Sequence, residues 1–198
     1  DSGTEEATTL APTITLAGSL VNFGLVGAGS VSAEQTYTVE GVNLTANITV
    51  TAPAGFQVST TSGSGFDDSV VLVQSGGTVG ATTIYVRFEP AAPGAYSGNI
   101  AHTSTDAVTK NQAVEGTGIA ADPAAPATGL GVTAFGTETM SLGWTRGSGG
   151  NVLVVARADS AAESPDDGDT YAANSAWGSA GTVGTVSKAV YKNTGTAV

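Results

Sequence analysis

The stretch Thr36–Thr60, TYTVEGVNLTANITVTAPAGFQVST, constrains the fold more than any other part of the chain. Tyr37 and Val39 fall on one face of a first run. After a break at Gly41-Val42-Asn43, Leu44, Ile48 and Val50 share a face of a second run, with Thr45, Asn47, Thr49 and Thr51 between them. A Pro53-Ala54-Gly55-Phe56 turn then leads into a third run, Phe56–Ser59. A helix needs apolar residues at spacings of three and four. Alternation at every second position, built from β-branched residues and punctuated by Gly, Pro and Asn, makes half-buried antiparallel strands. Tyr37 and Ile48 are read as core residues on this pattern.

The same signal recurs on either side. Leu10, Pro12, Ile14 and Leu16 alternate with small residues after a polar, acidic opening at positions 1–9. Pro12 has no N–H to donate, which places that segment at a sheet edge or at the start of a strand. Downstream, Val70–Val73 is a short apolar run. Thr82–Phe88 follows, with Ile84, Val86 and Phe88 on one face and Tyr85 and Arg87 on the other. Tyr96–His102 and Ala107–Glu115 read as a hairpin around Ser104-Thr105-Asp106. Eight or nine strands at regular turn spacing make one sandwich of about 100 residues. Gly116–Pro126, GTGIAADPAAP, marks a boundary of small residues and prolines. Beyond it Leu130, Val132 and Ala134 alternate, then Met140, Leu142 and Trp144, then Val152, Val154 and Ala156. Val183–Tyr191 supplies the last strand signals.

The chain of 198 residues is therefore expected to be all-β, with two tandem immunoglobulin-like β-sandwich domains. The expected divisions are 1–17, an N-terminal arm or first strand; 18–118, a sandwich; 119–126, a linker; and 127–198, a second and incomplete sandwich.

Composition removes several function classes. Lys and Arg number 6 against 17 Asp and Glu, for a net charge of −11, so the basic footprint that nucleic acid requires is missing. With no cysteine, neither a disulfide framework nor a thiolate metal site can form. No run of about 18 apolar residues is present to cross a membrane as a helix. The opening Asp1-Ser2-Gly3-Thr4-Glu5-Glu6 reads as the start of a processed or trimmed chain.

Residues 12–118 resemble the immunoglobulin-like repeats of secreted and surface proteins of Bacteroidetes-type bacteria. The resemblance rests on YTVEGVNLTANITVTAPAGFQVS, TTIYVRFEP and AYSGNIAHTS with KNQAVEGTG. It implies a non-catalytic repeat of an extracellular or cell-surface protein. Residues 123–198 resemble a fibronectin type III module through PAAPATGLGVTAFGTETMSLGWTRG and NVLVVARA. That resemblance puts Trp144 at the family's core tryptophan. It also implies that the last two or three strands are missing.

An incomplete sandwich has an open sheet edge and an uncovered apolar groove. Either the rest of a longer chain or a strand from another copy would close it. The segment Leu10, Pro12, Ile14 and Leu16 has the character of a donor strand, and its insertion into a neighbour would build a head-to-tail homopolymer. Its plain alternative is the first strand of its own module.

Chemistry-bearing residues are few. His102 is the single histidine, so a zinc site or a Cys–His pair is not available. Without a Gly-x-Ser-x-Gly elbow it reads as a surface or cross-strand residue. Asp159, Glu163, Asp166, Asp167 and Asp169 form an acidic loop that could offer oxygens to calcium, with Asp67-Asp68 as a smaller version. No other cofactor is indicated. Lys110 with Asn99 or Asn43 raises an intramolecular Lys–Asn crosslink, and Asn43-Leu44-Thr45 and Asn47-Ile48-Thr49 match the N-glycosylation pattern. Trp177 with Tyr171 could stack on a sugar. The favoured reading is a non-enzymatic extracellular structural or adhesive subunit. The alternative is a spacer or polysaccharide-binding accessory region of a larger secreted enzyme.

Overall fold

A computed structural model describes residues 10–166 and 168–197. The chain divides into two compact units, Asp1–Ala120 and Ala121–Val198.

The first unit is a β-sandwich of immunoglobulin type. Its strands are β1 (Thr13–Ala17), β2 (Leu25–Gly27), β3 (Gln35–Val42), β4 (Ile48–Thr51), β5 (Phe56–Ser59), β6 (Ser69–Leu72), β7 (Val79–Phe88), β8 (Gly94–Thr103) and β9 (Lys110–Ile119). One sheet has the order β1-β3-β7-β5 and the other β2-β9-β8-β4-β6. Alternation decides which side chains meet between them: Tyr37 and Val39 of β3 point inward, as do Ile84, Val86 and Phe88 of β7. Phe56 and Phe88 stack at 4.9 Å, and Phe23 meets Phe56 edge-on at 5.6 Å. Each large side chain sealed here contributes about 1.5–3 kcal/mol over its exposed state.

Three sequence expectations shift. The run Leu44–Val50 does bury Leu44, Ile48 and Val50, but the strand begins only at Ile48. Asn43 adopts a left-handed backbone with φ 55°. The Leu44 N–H then donates to the Gly77 carbonyl, and the Asn47 side chain accepts the Gln74 N–H, so 43–47 is bent. At the other end, β9 runs through Gly116–Ile119 rather than stopping at the expected boundary, pairing Gly116 with Tyr96 and Gly118 with Gly94. A side chain at Gly116 would begin 2.8 Å from the Phe88 ring, so its glycine serves packing in the sandwich and not linker freedom.

The third shift concerns the arm. Thr13–Ala17 is the edge strand β1 of its own module, with Ile14 opposite Gly41 and Leu16 opposite Val39 on β3. Ile14 is buried in the core and Leu16 packs against it, while Pro12 is half-buried and Leu10 exposed. The plain alternative, a first strand at home, is what the fold adopts.

The second unit contains β10 (Thr128–Phe135), β11 (Met140–Thr145), β12 (Val152–Ala156), β13 (Gly181–Val183) and β14 (Ser187–Asn193), with a 3₁₀ turn at Trp177–Ser179. Residues 121–126 lie within this unit: Ala125 exchanges hydrogen bonds with Ser148. Two small sheets result, β10-β11 and β12-β14-β13. Among the described residues its buried apolar side chains are Trp144, Val154, Ala180, Val183 and Ala189. The first unit buries three times as many, 16 against these five.

Candidate strand-acceptor cleft

Among the described residues, the two small sheets of the second unit leave several large apolar side chains uncovered. On β10, Leu130 is 57% exposed and Phe135 82%; Met140 on β11 is 53% exposed. Leu130 and Met140 belong to the alternating rows Leu130/Val132 and Met140/Leu142/Trp144, and a register shift after Val132 sets Phe135 opposite Met140, yet two strands opposite three leave the space between the sheets open. A hollow of about 150 Å³ lies between Leu130 and Trp144 on one side and Val152, Leu153 and Val154 on the other. A second, of about 360 Å³, is lined by Met140, Leu142, Ala156, Trp177 and Val190.

Trp144 is the fixed point of this cleft. It is 8% exposed, packs edge-on against Tyr191 at 4.9 Å and donates its indole N–H to the Gly195 carbonyl at 3.1 Å. The Tyr191 hydroxyl accepts the Gly195 N–H at 2.7 Å. The Trp144 N–H donates to the Thr196 carbonyl, and Gly143 bridges Ala197. β12 is paired with β14 along one edge, and among the described residues no strand pairs with its other edge. That edge borders the smaller hollow, since Val152–Val155 line it. An unpaired row of backbone N–H and C=O groups beside an apolar trough matches what an extended segment offers, ladder hydrogen bonds plus a side chain at every second position.

The titratable residues sit elsewhere. His102 is not a surface residue: it is fully buried on β8, in the first unit. Its Nδ1 lies 3.0 Å from the carbonyl of Lys110, its partner across the β8–β9 ladder, so Nδ1 carries the proton. Nε2 therefore accepts from the Tyr37 hydroxyl at 2.7 Å. Burial holds the imidazole below its ordinary pKa, against the opposing bonds to the Lys110 and Ile100 backbone, and pushes the Tyr37 phenol well above its own. Parity could have revealed this, because His102 shares a strand face with Ile100.

The described members of the acidic loop do not converge. The Glu163 carboxylate, read from sequence as one of the calcium ligands, accepts from Thr185, Val186 and Ser187 on the β13–β14 turn and so points away from the other acidic side chains of the loop. Asp166 and Asp169 are joined through Tyr171, whose hydroxyl accepts the Asp166 N–H at 2.8 Å and faces the Asp169 carboxylate at 3.4 Å. Asp159 is exposed with φ 62°, and Asp167 lies outside the described residues. Among the described residues no three His, Asp or Glu side chains gather as metal ligands. Asp67 accepts the Asp68 N–H. Lys110 faces His102 while Asn99 faces Ala113, so the ladder register keeps that crosslink pair apart. Asn43 reaches toward the Ala11 carbonyl instead. Tyr171 is tied to the acidic loop, and Trp177, 45% exposed, walls the larger hollow.

No family model and no curated protein matches the chain. Among solved structures it is similar to the ASH/PapD-like domain of human CEP192 (PapD-like domain 7), at 14% identity and a TM-score of 0.32, covering 55% of this chain and 87% of that one. It is also similar to a family 123 glycoside hydrolase from Clostridium perfringens, at 9% identity and a TM-score of 0.33, covering 59% of this chain and 28% of that one. At such identities and TM-scores the fold class stands on the strand topology described above.

Proposed function

We propose that this chain is a non-enzymatic structural or adhesive subunit of an extracellular surface assembly, joined to a further copy by a strand added to its second unit. One observation carries this reading: the unpaired edge of β12 runs beside an apolar trough lined by Leu130 and Trp144. A rigid first sandwich suits mechanical use, and the acidic surface keeps such subunits soluble before assembly. The donor is an extended segment with apolar side chains at alternate positions. For Leu10–Leu16 to serve, β1 would have to leave its seat beside β3, so donation by that arm is an exchange of strands and not the docking of a free tail.

The test is sedimentation velocity over a wide concentration range, with wild type against Leu130→Lys. Leu130 is exposed, so the charge is tolerated by the fold but sits in the wall of the trough. Wild type is expected to associate and the variant to stay monomeric. A wild type that remains monomeric throughout, together with selective binding on a glycan array, would shift the reading to the spacer or polysaccharide-binding region of a larger secreted enzyme.

A further inference from the structure

The turn between β13 and β14 gathers more hydrogen-bond donors than a turn needs. The N–H groups of Thr185, Val186 and Ser187 all aim at one side, at 3.1, 2.9 and 2.9 Å from Glu163 carboxylate oxygens. The Thr185 hydroxyl adds a bond at 2.7 Å and the Ser187 hydroxyl one at 3.0 Å. Ser187 is fully buried, and its Oγ also accepts the Glu163 N–H at 2.9 Å, so it is held from both sides. Gly184 opens the turn with φ 60°, and a side chain there would begin 2.8 Å from the Glu163 carboxyl carbon. Three successive N–H groups in a concave turn form an anion-binding nest. Here two hydroxyls complete it, and glycine leaves room for the guest.

We propose that the Gly184–Ser187 turn is a carboxylate receptor, occupied by Glu163 of the same chain and open to an external carboxylate when that side chain is withdrawn. Filled from within, it acts as a clasp. Glu163 lies in the long connection between β12 and β13, more than 20 residues before the turn in sequence (|i−j| = 22–24), and the clasp fastens that connection to the sheet. The donors hold the Glu163 carboxyl well below the usual carboxylate range, with the Val186 N–H foremost, then the Thr185 hydroxyl and the Ser187 and Thr185 N–H groups. A further stretch of the connection is sewn down by the bonds Gly181 N–H to Ala172 carbonyl and Asn174 N–H to Ala189 carbonyl. These would keep the receptor formed after Glu163 is removed.

The experiment uses the full chain and reads the backbone amide NMR signals of Thr185, Val186 and Ser187, together with melting of the second unit. In wild type these signals should be shifted downfield and indifferent to added sodium formate. Glu163→Ala should lose the shift and lower the melting temperature. Formate should restore both in a saturable way that sodium chloride at equal ionic strength does not reproduce. An Ala variant whose three amides stay where they were, or which responds to formate no more than to chloride, overturns the proposal. Should Glu163→Ala leave the second unit unfolded, Glu163→Gln takes its place. It keeps the volume but offers one acceptor oxygen, so a partial loss of the shifts supports the receptor and unchanged shifts overturn it.

Discussion

Tyr37→Phe removes one oxygen from the sandwich core and leaves the shape intact. In wild type the Tyr37 hydroxyl donates to His102 Nε2 at 2.7 Å, and His102 is fully buried. Phenylalanine leaves that nitrogen without a partner where water cannot reach it, a cost of about 1–3 kcal/mol. For a domain of roughly a hundred residues each kcal/mol moves Tm by about 4–8 °C, so a drop of about 4–24 °C is expected. Replacing both members, as in Tyr37→Phe with His102→Leu, should recover part of the loss, because the orphaned nitrogen leaves as well. The pH dependence follows from the same burial. Burial lowers the native pKa of His102 below the ordinary 6.5, so below that value the unfolded chain takes up the proton first. Stability from this group is therefore complete above pH 6.5. It falls by about 1.4 kcal/mol per pH unit as pH drops from there toward the native pKa. Calorimetry at pH 7.5 and 5.5 measures the slope. Imidazole NMR reads the titration without ambiguity, since the chain has a single histidine. A native His102 titrating at 6.5, or a Tyr37→Phe variant as stable as wild type, would refute the reasoning.

Gly116→Val should destabilise the first sandwich by about 1–3 kcal/mol in denaturant titration, because its first side-chain carbon would sit 2.8 Å from the Phe88 ring. Trp177→Phe isolates Trp144, which is 8% exposed; its remaining fluorescence should be blue-shifted and poorly quenched by acrylamide, whereas Trp144→Phe should leave a red-shifted, readily quenched signal from Trp177. Under the proposed strand capture, loss of Trp144 should also weaken association, since that ring lines the trough.

The strands were legible because each side chain's face follows from its own parity. Ile84, Val86 and Phe88 against Tyr85 and Arg87 needed no knowledge of partners. Bends were harder. The start of β4 at Ile48 depends on the Gly77 carbonyl and the Gln74 N–H, groups about 30 residues away, |i−j| = 27 in the second case. The end of β9 was obscured because Gly116 and Gly118 look like linker, and only the positions of Phe88 and Pro90 reveal them as packing sites. Glu163 was hidden for a similar reason: among Asp159, Asp166 and Asp169 it looks like one more solvated charge, and its partners are brought to it only by the fold. The cleft stood between these cases. The excess of inward-facing positions on β10 and β11 was visible locally, but the free edge is β12's, and that took the strand order to identify.

The two units follow one local rule and differ in closure. In the first, each strand face that alternates inward meets another, and four strands cover five. In the second, two strands oppose three among the described residues, and Leu130 and Met140 occupy core-facing positions yet stay exposed beside a small core of Trp144, Val154, Ala180, Val183 and Ala189. Local pattern is conserved by strand formation itself, whereas closure needs a strand in the right place. One extended segment laid along β12 would pair its backbone and cover Trp144 and Leu130 together. If each of those two side chains passes from its present exposure to full burial, the gain scales at about 25 cal/mol per Å² of apolar surface covered. Trp144, already 8% exposed, has little left to gain, so most of that energy must come from Leu130 and its neighbours on β10. Leu130→Ala should therefore weaken strand capture more than Trp144→Phe does, measured as the concentration for half-association; the reverse order would place the added strand elsewhere.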